Sequence, residues 1–156
     1  VLRGGAGADV LSGGGGDDTL EGGAGADVFE LDASDFLGTA LDIQGGADND
    51  TVVVSGPGSI TEAQLDGILT DVEQLDFTAL DLTASLDITG DMLQNWTDAD
   101  NELFINLGMS DTVKIVDDPT LYDTDTSNPN ETVYSLYDGT DFNNANLVGQ
   151  LTVVAA

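Results

Sequence analysis

The chain has 156 residues, of which 30 are Asp or Glu and only two, Arg3 and Lys114, are basic, a net charge of −28 that sets it against nucleic acid and anionic membrane surfaces. It contains neither Cys nor His, which removes disulfide staples, thiol chemistry, Ser-His-Asp triads and His-ligated zinc. A hydrophobic content of 40% is enough for a core, but self-repulsion opposes any compact state unless divalent cations or high salt relieve it. No apolar run reaches the length of a membrane span, and no N-terminal signal-peptide pattern is visible.

Residues 4–30 are three tandem copies of one unit, Gly-Gly-x-Gly-x-Asp-x-(apolar)-x, at 4–12, 13–21 and 22–30. Paired glycines let the backbone take positive φ, turn tightly and aim carbonyls inward. Asp9, Asp18 and Asp27 add a hard, charged oxygen beside those carbonyls, the ligand set that calcium prefers. Leu11, Leu20 and Phe29 are the middle residues of very short strands and point to a core. One unit makes a turn and half a coil, so like turns stack every second unit. Asp9 and Asp27 are then expected in one row and Asp18 in the opposite one. A flexible Gly-rich linker is the competing reading, but linkers do not keep Asp and Leu in phase with Gly. Val1-Leu2-Arg3 fits the end of a preceding unit, which suggests a piece of a longer array.

The repeat resembles the RTX calcium-binding nonapeptide of bacterial proteins exported by type I secretion. The resemblance implies an all-β fold, a parallel β-roll over residues 1–54. The roll continues into a β-rich C-terminal region with one or two short helices, residues 55–156, that caps it and carries the export signal. Several Ca2+ ions are the expected cofactor. The expected metal-site residues are Gly4, Ala6, Ala8 and Asp9, then Gly13, Gly15, Asp17 and Asp18, then Gly22, Ala24, Ala26 and Asp27.

Beyond Phe29 the repeat breaks. Residues 30–43 read as a loop that caps the solenoid, with Asp32-Ala33-Ser34-Asp35 able to start a short helical turn; extra calcium ligands are the alternative. The register returns at 45–53, with Gly45, Gly46, Asn49, Asp50 and Val52 in phase. Asp48 stands where the third glycine belongs, which puts the turn geometry in question. Asp48, Asn49 and Asp50 complete the expected metal-site residues.

Ser55-Gly56-Pro57-Gly58 is a breaker. Residues 61–72 read as a helix capped by Thr61, with Ala63, Leu65, Ile68, Leu69 and Val72 on one face that packs onto the sheet. Short alternating strands follow around Leu75 and Phe77, Leu80 and Leu82, Leu86 and Ile88, Leu103 to Leu107, Val113 and Ile115, 133–137 and 147–154. Residues 91–96 suggest one helical turn, with Trp96 as a core or edge anchor. Residues 117–131 read as an acidic loop. Asp123, Asp125 and Ser127 mimic the start of an EF-hand loop. The sixth position lacks Gly and Tyr134 stands where the closing Glu is needed, which leaves at most a weak surface calcium site.

Residues 43–116 also resemble a region at the C-terminal end of large RTX adhesins. The resemblance rests on the Gly45 to Val52 turn, Asp71-Val72-Glu73-Gln74-Leu75-Asp76-Phe77, Asn101-Glu102-Leu103-Phe104-Ile105 and Asp111-Thr112-Val113. The apolar end, Gln150 to Ala156, looks like an uncleaved export signal and equally like a last strand. These resemblances imply a secreted or cell-surface, non-catalytic module that folds on calcium. Its expected partners are calcium ions, the type I secretion machinery and a cell-surface or polysaccharide ligand bound through upstream regions. Two alternatives stand beside it. One is an RTX module following a secreted protease, lipase or polysaccharide-modifying enzyme. The other is a glycan- or partner-binding β domain using Trp96, Tyr122, Tyr134 or Tyr137. Carboxylate pairs abound, and counting alone leaves a glycosidase-like pair open, but no His, no Cys and almost no basic residue remain to orient a substrate or stabilise an oxyanion, so catalysis is not expected.

Overall fold

The computed structural model describes residues 1–37, 40–58, 60–80, 86–88, 92, 95–97, 102–108, 113–115, 122–125, 131–137 and 147–155. Among them the chain winds as a parallel β-roll. β1 (Leu2–Ala6), β3 (Thr19–Ala24), β5 (Asp42–Ala47) and β7 (Leu69–Thr70) stack in that order into one parallel sheet. Opposite it, β2 (Val10–Leu11), β4 (Val28–Asp32), β6 (Thr51–Ser55), β8 (Gln74–Asp76), β10 (Glu102–Leu107) and β14 (Leu147–Ala155) stack in parallel. The second sheet then reverses: β13 (Glu131–Tyr137) pairs antiparallel with β14, and β12 (Tyr122–Asp125) antiparallel with β13. β9 (Leu86–Ile88) and β11 (Val113–Ile115) form a separate parallel pair.

Register follows from which side chains fit inside. Leu20, Ile43 and Leu69 lie over one another in the first sheet, all buried. Leu11, Phe29, Val52, Leu75 and Ile105 form the facing column. Each such side chain contributes about 1.5–3 kcal/mol on burial. Because side chains alternate along a strand, Arg3 and Glu21 fall on the outer face in register and pair there, Nε to Oε2 at 2.5 Å.

Along the acidic turns and the second sheet, the coil repeat is 18 residues through the nonapeptides and 23 in the next two steps. Part of the added length is the segment after β4. A single 3-10 turn, Asp35–Leu37, bulges from the side of a coil, and Phe36 is buried beneath it. This segment lies within the stack and does not cap it, because the chain returns to the first sheet as β5. Its turn is held by Asp32, which accepts from Ser34 N–H at 2.8 Å, and by Asp35, which accepts from Asp32 N–H at 3.0 Å.

The helix expected over 61–72 is far shorter, α1 (Glu62–Leu65). Gln64 Oε1 accepts from Thr61 N–H at 3.0 Å, one of the two bonds of a capping box. Gly67 then takes φ 77 and ends the helix, and Leu69–Thr70 joins the sheet as β7. Of residues 91–96, Met92, Asn95 and Trp96 are described and helical. Trp96 is fully buried, and its carbonyl accepts from Val72 N–H at 2.6 Å. Leu82, Asp111, Thr112, Ser127 and Ala156 lie outside the described residues. The acidic stretch 117–131 holds a strand, β12, where a loop was expected. Asp123 and Asp125 sit in it, paired with Ser135 and Val133, which is incompatible with an EF-hand loop. The ladder from β6 to β8 crosses residue 55, so the roll and the region after it share one sheet.

Candidate metal centre

The turns on one edge of the roll connect the first sheet to the second, and each ends on an acidic residue. The second and third glycines of a unit are left-handed: Gly5 and Gly7 have φ 109 and 108, Gly23 and Gly25 have φ 114 and 112. In the fourth unit Gly46 has φ 114, and Asp48 takes φ 77 in place of glycine. Asp tolerates this region better than most side chains, so the turn survives the departure. The first glycine serves a different need from the one expected of it, since its φ is not positive. A Cβ on Gly4 would lie 2.8 Å from both Asp9 Oδ2 and the Gly22 carbonyl oxygen. It is glycine to leave room for oxygen atoms.

Those turns stack the acids into a row. Asp9 N–H donates to Asp27 Oδ1 at 2.7 Å, Asp27 N–H to Asp50 Oδ1 at 2.8 Å, and Asp50 N–H to Glu73 Oε2 at 2.9 Å. Asp27, Asp50 and Glu73 are buried. The second carboxylate oxygens of Asp9, Asp27 and Asp50 are also buried, with no hydrogen-bond donor. A buried anionic oxygen without a donor costs several kcal/mol on the order of a lost charged hydrogen bond. A cation at these oxygens removes that cost. The donors are carboxylates and turn carbonyls, the hard oxygen set suited to calcium. Turn carbonyl oxygens stand beside the carboxylate oxygens at each level of the row: that of Gly22 beside Asp9 Oδ2, and that of Gly45 beside Asp27 Oδ2.

Burial pushes the Asp50 carboxyl up to about 7, opposed by the Asp27 N–H bond and reinforced by Glu73, Asp27 and Asp48. With the folded value raised, the metal-free folded state holds more protons than the unfolded chain between the ordinary carboxylate range and 7. The contribution is full at low pH and lost as pH rises through about 7. The urea midpoint in chelator is therefore expected to be higher at about pH 5.5 than at about pH 8. The rise in midpoint on adding calcium should be smaller at the lower pH, because ligation needs the carboxylate.

Of the expected aspartates, Asp9, Asp27 and Asp50 come together in this row, while Asp18 sits on the opposite edge, in the turn from β2 to β3. There its Oδ2 fills the space above Gly13, and its carbonyl accepts from Asp42 N–H at 2.9 Å. Ala6, Ala8, Gly15, Asp17, Ala24, Ala26, Asp48 and Asn49 are exposed along the turn rims. Sequence reasoning missed Glu73. The available signal was its spacing: it follows Asp50 by the same 23 residues that separate Asp50 from Asp27, and Gln74-Leu75 after it keeps the apolar phase.

No curated protein and no solved structure matches the chain. Residues 1–29 match the family model of the RTX calcium-binding nonapeptide repeat (4 copies). The chain thus carries RTX repeats in a parallel β-roll, its metal is Ca2+, and repeats of this kind are characteristic of secreted proteins.

Proposed function

We propose that this chain is a non-catalytic, calcium-dependent folding and stabilising module at the C-terminal end of a type I secreted or cell-surface bacterial protein of the adhesin kind. The observation that carries the folding role is the row of buried carboxylate oxygens with no donor. Asp9, Asp27 and Asp50, with the carbonyls of the glycine turns, are the ligands on this edge, and Asp18 serves the opposite edge. Calcium, when bound, supplies the positive charge that these oxygens lack. Without it, the glycines lose backbone entropy on ordering and the acids repel one another, so the repeats stay loose. A loose chain suits passage through an exporter at low cytosolic calcium. The millimolar calcium outside matches the ~10⁻⁴–10⁻³ M affinities of extracellular calcium modules, and binding to the folded form alone adds stability by mass action. The adhesin assignment rests on the likeness of residues 43–116 to adhesin C-terminal regions.

Far-UV circular dichroism, titrated with calcium from a chelated start and with magnesium as control, tests the folding role. The expected result is a coil-to-β transition specific to calcium. A spectrum already β-rich in chelator and unmoved by calcium would overturn it.

A further inference from the structure

The two oxygens that face each other across the repeat turns recur once more, outside the repeats. Asp9 Oδ2 and the Gly22 carbonyl oxygen meet over Gly4, and Asp27 Oδ2 and the Gly45 carbonyl oxygen meet over Gly22. Over Gly45, a Cβ would collide with Asp50 Oδ2 and with the carbonyl oxygen of Asp71. Asp71 belongs to the turn between β7 and β8, in the position next to the Gln44 and Thr70 pair where a nonapeptide has its first glycine. The same turn contributes Glu73, whose carboxylate takes the Asp50 N–H as Asp50 takes that of Asp27. This turn has no Gly-Gly-x-Gly sequence and is shorter. The longer side chain of Glu covers the distance that Asp covers in a full unit. Asp50 is fully buried, and its Oδ2 has no donor.

We propose that the gap between the turn ending at Asp50 and the turn Asp71-Val72-Glu73 is a further divalent-cation site, with Asp50 Oδ2, the Asp71 carbonyl and the Glu73 carboxylate as protein ligands. The site rests on the calcium reading above but extends the metal row past the repeats. Asp50 Oδ2 and the Asp71 oxygen crowd one point, so both lie within reach of a single ion with the bonds of about 2.3–2.6 Å that calcium makes. The shorter turn supplies fewer carbonyls, so more of the shell is water and the ion here is the weakest held of the row.

Flow dialysis with calcium at saturation counts the ions bound by the parent chain and by Glu73→Gln. The amide oxygen of Gln still accepts the Asp50 N–H but brings no charge. The expected result is one ion fewer in the variant, with the tighter ions unchanged within about twofold. An unchanged count overturns this site and leaves the calcium module standing, whereas a parent chain that binds no calcium overturns both. Should the variant fail to fold, anomalous diffraction from calcium-grown crystals of the parent chain decides. A peak touching Asp50 Oδ2 and the Asp71 oxygen is expected. Peaks confined to the gaps between the turns ending at Asp9, Asp27 and Asp50 overturn the site.

Discussion

Asp27→Asn is expected to change the sign of its effect with calcium. The Asp27 carboxylate spans two gaps: Oδ1 accepts from Asp9 N–H, and the donorless Oδ2 lies over Gly22 near the Gly45 carbonyl oxygen. Asparagine keeps an acceptor for Asp9 and places an amide N–H where Oδ2 was, facing a carbonyl. In chelator that removes a buried charge and adds a hydrogen bond, for a gain of about 1 kcal/mol. In calcium the variant loses a charged ligand from both neighbouring gaps. A site held at about ten times its Kd contributes about 1.4 kcal/mol, so losing two outweighs that gain and leaves the variant weaker in calcium by about 2 kcal/mol. Urea unfolding of parent and variant, each in chelator and in calcium, measures both signs. A variant that is weaker by the same amount in both conditions would show that Asp27 acts through packing alone.

The second large effect concerns the first glycine of a unit. Gly22→Ala is expected to destabilise the fold by about 3 kcal/mol, with and without calcium. Its φ is unremarkable, so the cost is steric: the new Cβ would stand 2.6 Å from the Gly45 carbonyl oxygen and collide with Asp27 Oδ2. That carbonyl belongs to β5 and cannot retreat without moving a strand. Gly15→Ala is the control in the same motif. No atom lies within 4 Å of its Cβ position, and Ala6, Ala24 and Ala47 occupy the same place in the other units. It is expected to stabilise by about 0.5 kcal/mol, through the entropy of the unfolded chain. Urea midpoints in saturating calcium check both; equal and small effects at the two positions would remove the steric account of the first glycine.

The repeats were legible because each position answers to one physical constraint. Leu11, Leu20, Phe29 and Val52 are buried in the columns that their phase implies, and Asp9 faces Asp27 one full coil away. The chain beyond Glu30 was harder to read because insertions on the opposite edge lengthen the coil and hide its period. The stretch from Ala63 to Val72 shows why spacing alone misled. Leu65, Ile68, Leu69 and Val72 satisfy a helical face, but a four-residue helix, a left-handed Gly67 and a two-residue strand bury Leu65, Leu69 and Val72 equally well. Glu73 escaped notice because the motif asks for Asp after glycines, whereas the stack asks only for a carboxylate at that height. Tyr122–Asp125 read as loop because its composition is acidic and polar, yet its backbone pairs with β13 as the last strand of the sheet, and a ladder asks for backbone groups whatever the side chains.

β14 joins the parallel stack beside β10, with Glu102 next to Gln150 and Leu107 next to Ala155. The chain arrives there only after forming β11, β12 and β13. Within the two stacked sheets, each strand from β3 to β8, and then β10, finds its partner one coil back, so growth there is local and each closure is short. The last closure spans 48 residues of chain between paired positions, and its entropic cost comes before any ladder bond is made. Topology of that kind slows folding at comparable stability. The slow step of assembly is thus expected at the far end of the sheet from Asp9. A chain caught before it would display the unpaired edge of β10, with Phe104 on its outer face, while the turns that take calcium are already in place.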